Sequence, residues 1–244
     1  NAFDDSVIAE LRQQIATVGQ SDARLMILRA EGKNFCAGAN LAWMKRMADL
    51  SRDENIKDAR QLAALMQELS ELRIPTIARV QGAAYGGTIG LIACCDIAIA
   101  SDNARFCLSE TKLGLAPATI GPFVVSAMGP RIAKKLFLTA EVFKAQAALD
   151  FQLVHELVAL ESLDDKVAEQ VSHIMATGPK ASIAAKQLVS DILERPENLS
   201  EITSHLIADL RVSDEGQSGL RAFFTKQAAP WVKAKTKNKN EEAS

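Results

Sequence analysis

The chain has no excess of positive charge, no cysteine pair at metal-binding spacing, no apolar run long enough to cross a bilayer, and only three histidines. Each absence removes a class of function. A net charge of −2 leaves nothing to neutralise a phosphate backbone, so nucleic acid is not expected as a main partner. The one sustained basic stretch, residues 233–239, lies in a polar tail ending Asn240-Glu241-Glu242-Ala243-Ser244 and reads as a solvated terminus. Without a run approaching ~20 apolar residues, no membrane span is expected. Cys36, Cys94, Cys95 and Cys107 all stand among apolar neighbours, which reads as buried thiols in a reducing, cytoplasmic setting. A catalytic cysteine would want a basic, partly exposed environment, and none surrounds these four. His155, His173 and His205 are scattered and assemble no metal cluster, so structural or surface roles are expected and no metal. Asn1 is no natural start and no signal-peptide pattern follows it, which points to a native N-terminal segment lying before this sequence.

What is present is an ordinary globular composition, 48% hydrophobic and 24% charged, in a length that suits one large domain or two small ones. Asp5 can cap a helix whose apolar positions Val7, Ile8, Leu11, Ile15 and Val18 follow helical spacing. Residues 24–30, centred on Leu25-Met26-Ile27-Leu28, read as a buried strand. A glycine-bearing loop over 31–38 follows, then a short helix over about 40–47. Residues 54–72 form a long amphipathic helix with Ile56, Ala59, Leu62, Ala63, Met66 and Leu69 on one face, stopped by Pro75. A strand is expected over 76–80, a glycine-rich stretch over 82–90, a helix over 89–94, and strands over 96–100 and 105–108. Strand, glycine loop and helix thus occur twice, which predicts an α/β layered fold. From about Thr119 the pattern is helical almost throughout, with Pro179 at a first helical position and Pro196 dividing two helices. No linker separates the halves. The expectation is one domain, with an α/β core over about 1–160, a helical region over about 161–232 and the tail at 233–244.

Two loops have the same physical character. Phe35-Cys36-Ala37-Gly38-Ala39-Asn40 joins a strand to a helix through small residues, and so does Gly82-Ala83-Ala84-Tyr85-Gly86-Gly87-Thr88. Small residues let a ligand approach the backbone, and amides at a helix start carry partial positive charge. Side by side, two such loops can aim two N–H donors at one developing oxyanion, although glycine at a strand–helix turn is equally read as turn geometry. Glu110 closes the apolar strand ahead of Lys112-Leu113-Gly114-Leu115. There it is either a partly desolvated acid–base carboxylate or a surface glutamate paired with Lys112 or Arg105.

These elements, with Cys95-Asp96-Ile97-Ala98 and the run from Ser109-Glu110 to Pro117, resemble in order and spacing the signature of the crotonase (enoyl-coenzyme A hydratase/isomerase) superfamily. The resemblance covers essentially the whole chain, from Asn1-Ala2-Phe3 to the closing stretch that ends at Trp231. Trp43-Met44-Lys45-Arg46-Met47 and Ala93-Cys94-Cys95-Asp96 are most similar to the bacterial methylglutaconyl-coenzyme A hydratases of leucine breakdown. The resemblance implies a spiral of β-β-α turns finished by helices that build a homotrimer, often paired into a hexamer. It implies an acyl-coenzyme A thioester as substrate and no separate cofactor, coenzyme A being part of the substrate. By the same resemblance the oxyanion amides fall at Ala39 and Gly87, and the catalytic carboxylate at Glu110. Ala37, Asn40 and Leu41 border adenine and pantetheine, while Tyr85, Gly86, Leu113 and Ala118 fall at or near the acyl pocket.

The chain departs from the family pattern at two positions. Many two-glutamate relatives carry their first glutamate where this chain has Gly90, and Asn40 replaces the usual aspartate. One carboxylate still suffices in principle for syn hydration of a conjugated thioester. The same equipment also serves an isomerase moving a double bond between the 3,4 and 2,3 positions, and a non-catalytic acyl-coenzyme A scaffold is the reading from another class. An RNA-binding relative uses a lysine-rich first helix, whereas residues 7–18 here carry Arg12 and no lysine. Lys45 and Arg46 are candidates for a cation facing a distal carboxylate on the acyl group, or are simply solvated.

Overall fold

A computed structural model describes residues 1–194 and 196–232; the polar tail expected at 233–244 lies outside the described residues. Two compact units are formed, Asn1–Gln170 and Val171–Ser244.

The first unit opens with helix α1 (Asp5–Gly19). Its cap is Asp4 and not Asp5: Asp4 is extended and its carboxylate accepts the Val7 N–H, which leaves Asp5 in the first turn. Strand β1 (Met26–Leu28) is shorter and more open than the expected buried strand, because it lies at a sheet edge with Ile27 39% exposed. Helices α2 (Leu41–Ala48) and α3 (Arg52–Ser70) follow, the latter started by a reciprocal Ser51–Glu54 capping box. Then come β2 (Thr76–Val80), β3 (Ala83–Tyr85), α4 (Gly87–Cys94), β4 (Ile97–Ser101) and β5 (Arg105–Cys107). A 3-10 turn at Glu110–Leu113 leads to α5 (Gly121–Met128), α6 (Pro130–Thr139), β6 (Phe143–Lys144), α7 (Ala145–Asp150) and β7 (Glu156–Val158). Helix α8 (Leu163–Met175) runs on into the second unit.

The seven strands divide between two sheets. One is parallel throughout, in the order β1-β2-β4-β7, and the other runs β3-β5-β6 with its last pair antiparallel. Strands β1, β2, β4 and β7 therefore form one wall while β3, β5 and β6 form the other, in keeping with the α/β layers expected from the residues and the β-β-α spiral that the resemblance implies. Strands β2 and β4 are almost wholly buried, as central parallel strands with both faces covered should be. Their entry points are tied together: the Asp96 carboxylate accepts the Thr76 N–H (2.7 Å) and hydroxyl (2.9 Å), and the Thr76 hydroxyl oxygen accepts the Asp96 N–H (2.9 Å). His155 does comparable work between β4 and β7, its Nδ1 accepting the Ala98 N–H at 3.0 Å. All four cysteines are buried thiols.

Strands β6 and β7 lie in the part of the chain read as helical almost throughout. At two and three residues they are too short to show a period of two, and long-range pairing rather than local pattern makes them strands. The second unit contains α9 (Pro179–Glu194), α10 (Leu199–Val212) and α11 (Asp214–Phe224), with Pro179 and Pro196 where the breaks were expected. Within it the Glu215 carboxylate accepts the Lys180 and Ala181 N–H groups at the start of α9, and the Trp231 indole donates to the Ala176 carbonyl. No helix among the described residues is long and apolar enough to cross a membrane.

Candidate active site

The first small-residue loop is held from both sides. On one side the Cys36 N–H donates to the Ala83 carbonyl (2.9 Å), and the Tyr85 N–H donates to the Cys36 carbonyl (3.0 Å), which fixes the loop alongside β3. On the other, the Phe3 N–H donates to Gly38 (3.0 Å) and the Phe3 carbonyl accepts the Asn40 N–H (2.8 Å). Phe3 thereby binds the groups on either side of Ala39. Alternate backbone groups of an extended segment face opposite edges, so the N–H of Ala39 itself is turned away from Phe3. It makes no hydrogen bond among the described residues.

The second loop delivers a donor by another route. Gly86 lies at φ +61°, a conformation L side chains rarely adopt, and its N–H is held by the Cys107 carbonyl at 2.8 Å. This sharp turn starts α4 at Gly87. The Gly87 N–H is one of the orphan donors of a helix start, at the positive end of the helix dipole, and it too has no partner among the described residues.

Glu110 follows β5 at the first position of the 3-10 turn. One carboxylate oxygen, Oε2, is buried without a hydrogen-bond partner. The other, Oε1, lies 3.5 Å from where a Cβ on Gly86 would stand, so the carboxylate sits directly beside the turn that launches Gly87. Among the described residues no cation pairs with it, and the surface pairing with Lys112 or Arg105 does not form. Burial pushes its pKa above the ordinary glutamate value, and a bond to its own backbone N–H opposes this only in part. A buried, unpaired acceptor is costly to keep in a folded protein and is characteristic of groups reserved for chemistry.

Gly90, one turn further along α4, is fully buried. A Cβ there would meet Ile120 Cγ2 at 2.4 Å, Ile120 Cβ at 2.7 Å and the Met66 sulfur at 3.0 Å. The place of a second carboxylate is therefore filled by hydrocarbon.

The remaining residues singled out from the sequence fall in different places. Ala37 joins Gly38, Ala39, Asn1, Ala2 and residues 31–34 in lining a cleft of about 420 Å³, where Lys33 and Asn34 supply polar character. Asn1, Lys33 and Asn34 carried no local signal, since only the folded loop brings them to Ala37. Asn40 is engaged in capping: its Oδ1 accepts the Ala42 and Trp43 N–H groups, and its Nδ2 donates to the Asp4 carboxylate at 3.1 Å. Leu41 is 75% exposed. Tyr85 is half-buried at the end of β3, whereas Leu113 and Ala118 are exposed. Arg46 pairs with Asp5 at 3.1 Å on the surface, and Lys45 is exposed. Among the described residues no group of histidine, cysteine and carboxylate side chains could hold a metal ion.

A family profile described as enoyl-CoA hydratase/isomerase matches residues 1–234. Among solved structures, a Legionella pneumophila protein assigned by name to enoyl-CoA hydratase/isomerase (crotonase) superposes with a TM-score of 0.90 at 45% identity, covering 94% of this chain and 90% of that one. An enoyl-CoA hydratase from Shewanella pealeana does so with a TM-score of 0.90 at 43% identity, covering 94% and 87%. The crotonyl-CoA hydratase of Syntrophomonas wolfei is 29% identical over 240 residues, 95% of this chain and 90% of that protein.

Proposed function

The chain belongs to the enoyl-CoA hydratase/isomerase family, and from that premise we propose that it adds water across the α,β double bond of an enoyl-coenzyme A thioester, with Glu110 as the one acid–base group. The observation that carries this reading is the half-buried Glu110 carboxylate beside the Gly86 turn, with its Oε2 buried and unpartnered. The thioester oxygen is received by the free amides of Ala39 and Gly87, each worth a few kcal/mol to a developing enolate (about 3–4 where such donors have been removed in other enzymes). Glu110 takes a proton from water as the water oxygen bonds to the β-carbon. Electrons from the double bond move to the thioester oxygen as an enolate. Glu110 then returns the proton to the α-carbon on the same face, so one water is added and the carboxylate is regenerated. The cleft at Ala37–Ala39 accommodates a polar portion of the coenzyme.

The acyl group proposed is 3-methylglutaconyl, on the strength of the stretches at residues 43–47 and 93–96. A second reading, isomerisation of a 3,4 to a 2,3 double bond, is favoured by the hydrocarbon filling the position beside Gly90. The test is the absorbance of the conjugated enoyl thioester. It falls with time if crotonyl- or 3-methylglutaconyl-coenzyme A is hydrated. A rise from a 3-enoyl thioester, with no fall from either conjugated one, would replace hydration by isomerisation.

A further inference from the structure

Phe3 borders both halves of the proposed amide pair. Its backbone brackets Ala39, as described above, and its ring is buried, only 6% exposed. Two ring carbons, Cε1 and Cδ1, stand 3.7 and 3.8 Å from where a Cβ on Gly87 would be, with the Leu62 Cδ2 beside them at 3.9 Å. The ring therefore faces the start of α4 across the space a Gly87 side chain would fill, while the same residue's peptide groups grip the first loop. The two donors belong to segments almost fifty residues apart, and one rigid side chain spans the space between them.

We propose that the Phe3 ring is a positioning residue that sets the separation of the Ala39 and Gly87 amides. The inference rests on the oxyanion reading of those amides. Two donors act on one oxygen only if both lie within hydrogen-bond reach of it, and a shift of about 1 Å in such an arrangement can cost about 10²-fold in rate. The backbone bonds of Phe3 survive any substitution except proline, so replacing the side chain isolates the ring's contribution. Removing the ring opens space beside Gly87, into which the start of α4 can relax.

The test uses the whole protein with [1-¹³C]butyryl-coenzyme A, which binds as a thioester but has no double bond to hydrate. Isotope-edited infrared difference spectra report the carbonyl stretch, which moves to lower frequency when two donors polarise it. In Phe3→Ala most of that displacement should be lost, and kcat for crotonyl-coenzyme A should fall about 10- to 100-fold. The dissociation constant of the butyryl thioester should stay within about threefold and the acid limb of the pH profile should not move, because Glu110 is untouched. Phe3→Leu should recover part of both the shift and the rate. A Phe3→Ala variant with the full carbonyl displacement, or with kcat within about twofold of wild type, overturns the proposal. If Phe3→Ala does not fold, Phe3→Leu and Phe3→Met carry the same comparison, and an unchanged carbonyl stretch in both refutes it. A wild-type protein that does not displace the carbonyl stretch at all refutes the oxyanion reading itself, and this proposal with it.

Discussion

Placing a single methyl group on Gly90 should destabilise this protein, and the structure says by how much and against what. The added Cβ of Gly90→Ala would stand 2.4 Å from Ile120 Cγ2, 2.7 Å from Ile120 Cβ and 3.0 Å from the Met66 sulfur. Carbon atoms in contact prefer about 3.5–4.0 Å, so the gap must open by roughly 1 Å. Met66 can yield, being unbranched and flexible. The Ile120 Cβ cannot rotate away, because it is fixed to its own backbone just ahead of α5, so helix must move against helix. Overpacking of this kind costs about 1–3 kcal/mol, and this case belongs at the upper end. Alanine's better helix propensity returns about 1 kcal/mol, for a net loss near 2 kcal/mol. Ile120→Ala alone should cost about 2–5 kcal/mol as a cavity. The double variant should be less damaged than the sum by about 1–3 kcal/mol, the coupling expected of residues in direct contact. Urea unfolding followed by circular dichroism at fixed protein concentration measures all four corners of the cycle. A Gly90→Ala protein as stable as wild type, or a strictly additive cycle, would show that Ile120 does not occupy this position. The consequence for function is that Gly90→Glu alone should lose activity by crowding, and recovery of a two-carboxylate site should require relief at Ile120 as well.

Three further outcomes are expected. Because burial raises the Glu110 pKa, the basic form needed to activate water is lost at a higher pH than for a free glutamate; kcat/KM should fall on the acid side with a midpoint above the ordinary 4.5, and Glu110→Gln should abolish that limb. Asn40→Asp keeps the cap of α2 but replaces the donor to Asp4 by a second carboxylate, so it should destabilise at neutral pH. The sign of that effect follows from Asp4, whose pKa lies below the ordinary value through bonds from Ser6, Val7 and Asn40; the substitution raises it, and the loss should vanish as pH falls through the carboxylate range, measurable by thermal melts against pH. The second unit exposes Val189, Leu193, Ile207, Val212, Phe223 and Phe224, apolar surface that usually marks an interface; with the trimer or hexamer that the family resemblance implies, light scattering should give three or six times 26.3 kDa, and a clean monomer with full activity would refute the assembly.

The fold class was legible in the sequence, whereas the contacts that shape the candidate site were not, for a physical reason. Taken singly, the loops at 35–40 and 82–88 and the carboxylate at 110 read equally as turn geometry and a surface glutamate, and only their order and spacing together carried the family resemblance. Strands β6 and β7 exist only because β5 and β4 offer them edges. The crowding at Gly90 depends on Ile120, thirty residues away, and the freedom of the Ala39 amide depends on Phe3. Neither relation leaves a periodic trace. The surface-pairing alternative for Glu110 could be weighed only by seeing that its Oε2 is buried and meets no hydrogen-bond partner. Asn40 shows the same limit from the other side: its identity marked a departure from the family pattern, but only its contact with Asp4 explains what an amide does there that a carboxylate could not.

The measurement that bears most directly on the central claim is single-turnover hydration of crotonyl-coenzyme A by wild type and Glu110→Gln, with thioester binding measured in parallel. Loss of the proton carrier should reduce the rate about 10²–10⁴-fold while the dissociation constant of the thioester changes little. A purified, folded Glu110→Gln protein that hydrates at close to the wild-type rate would contradict the assignment of Glu110 as the acid–base group, whatever the geometry around it.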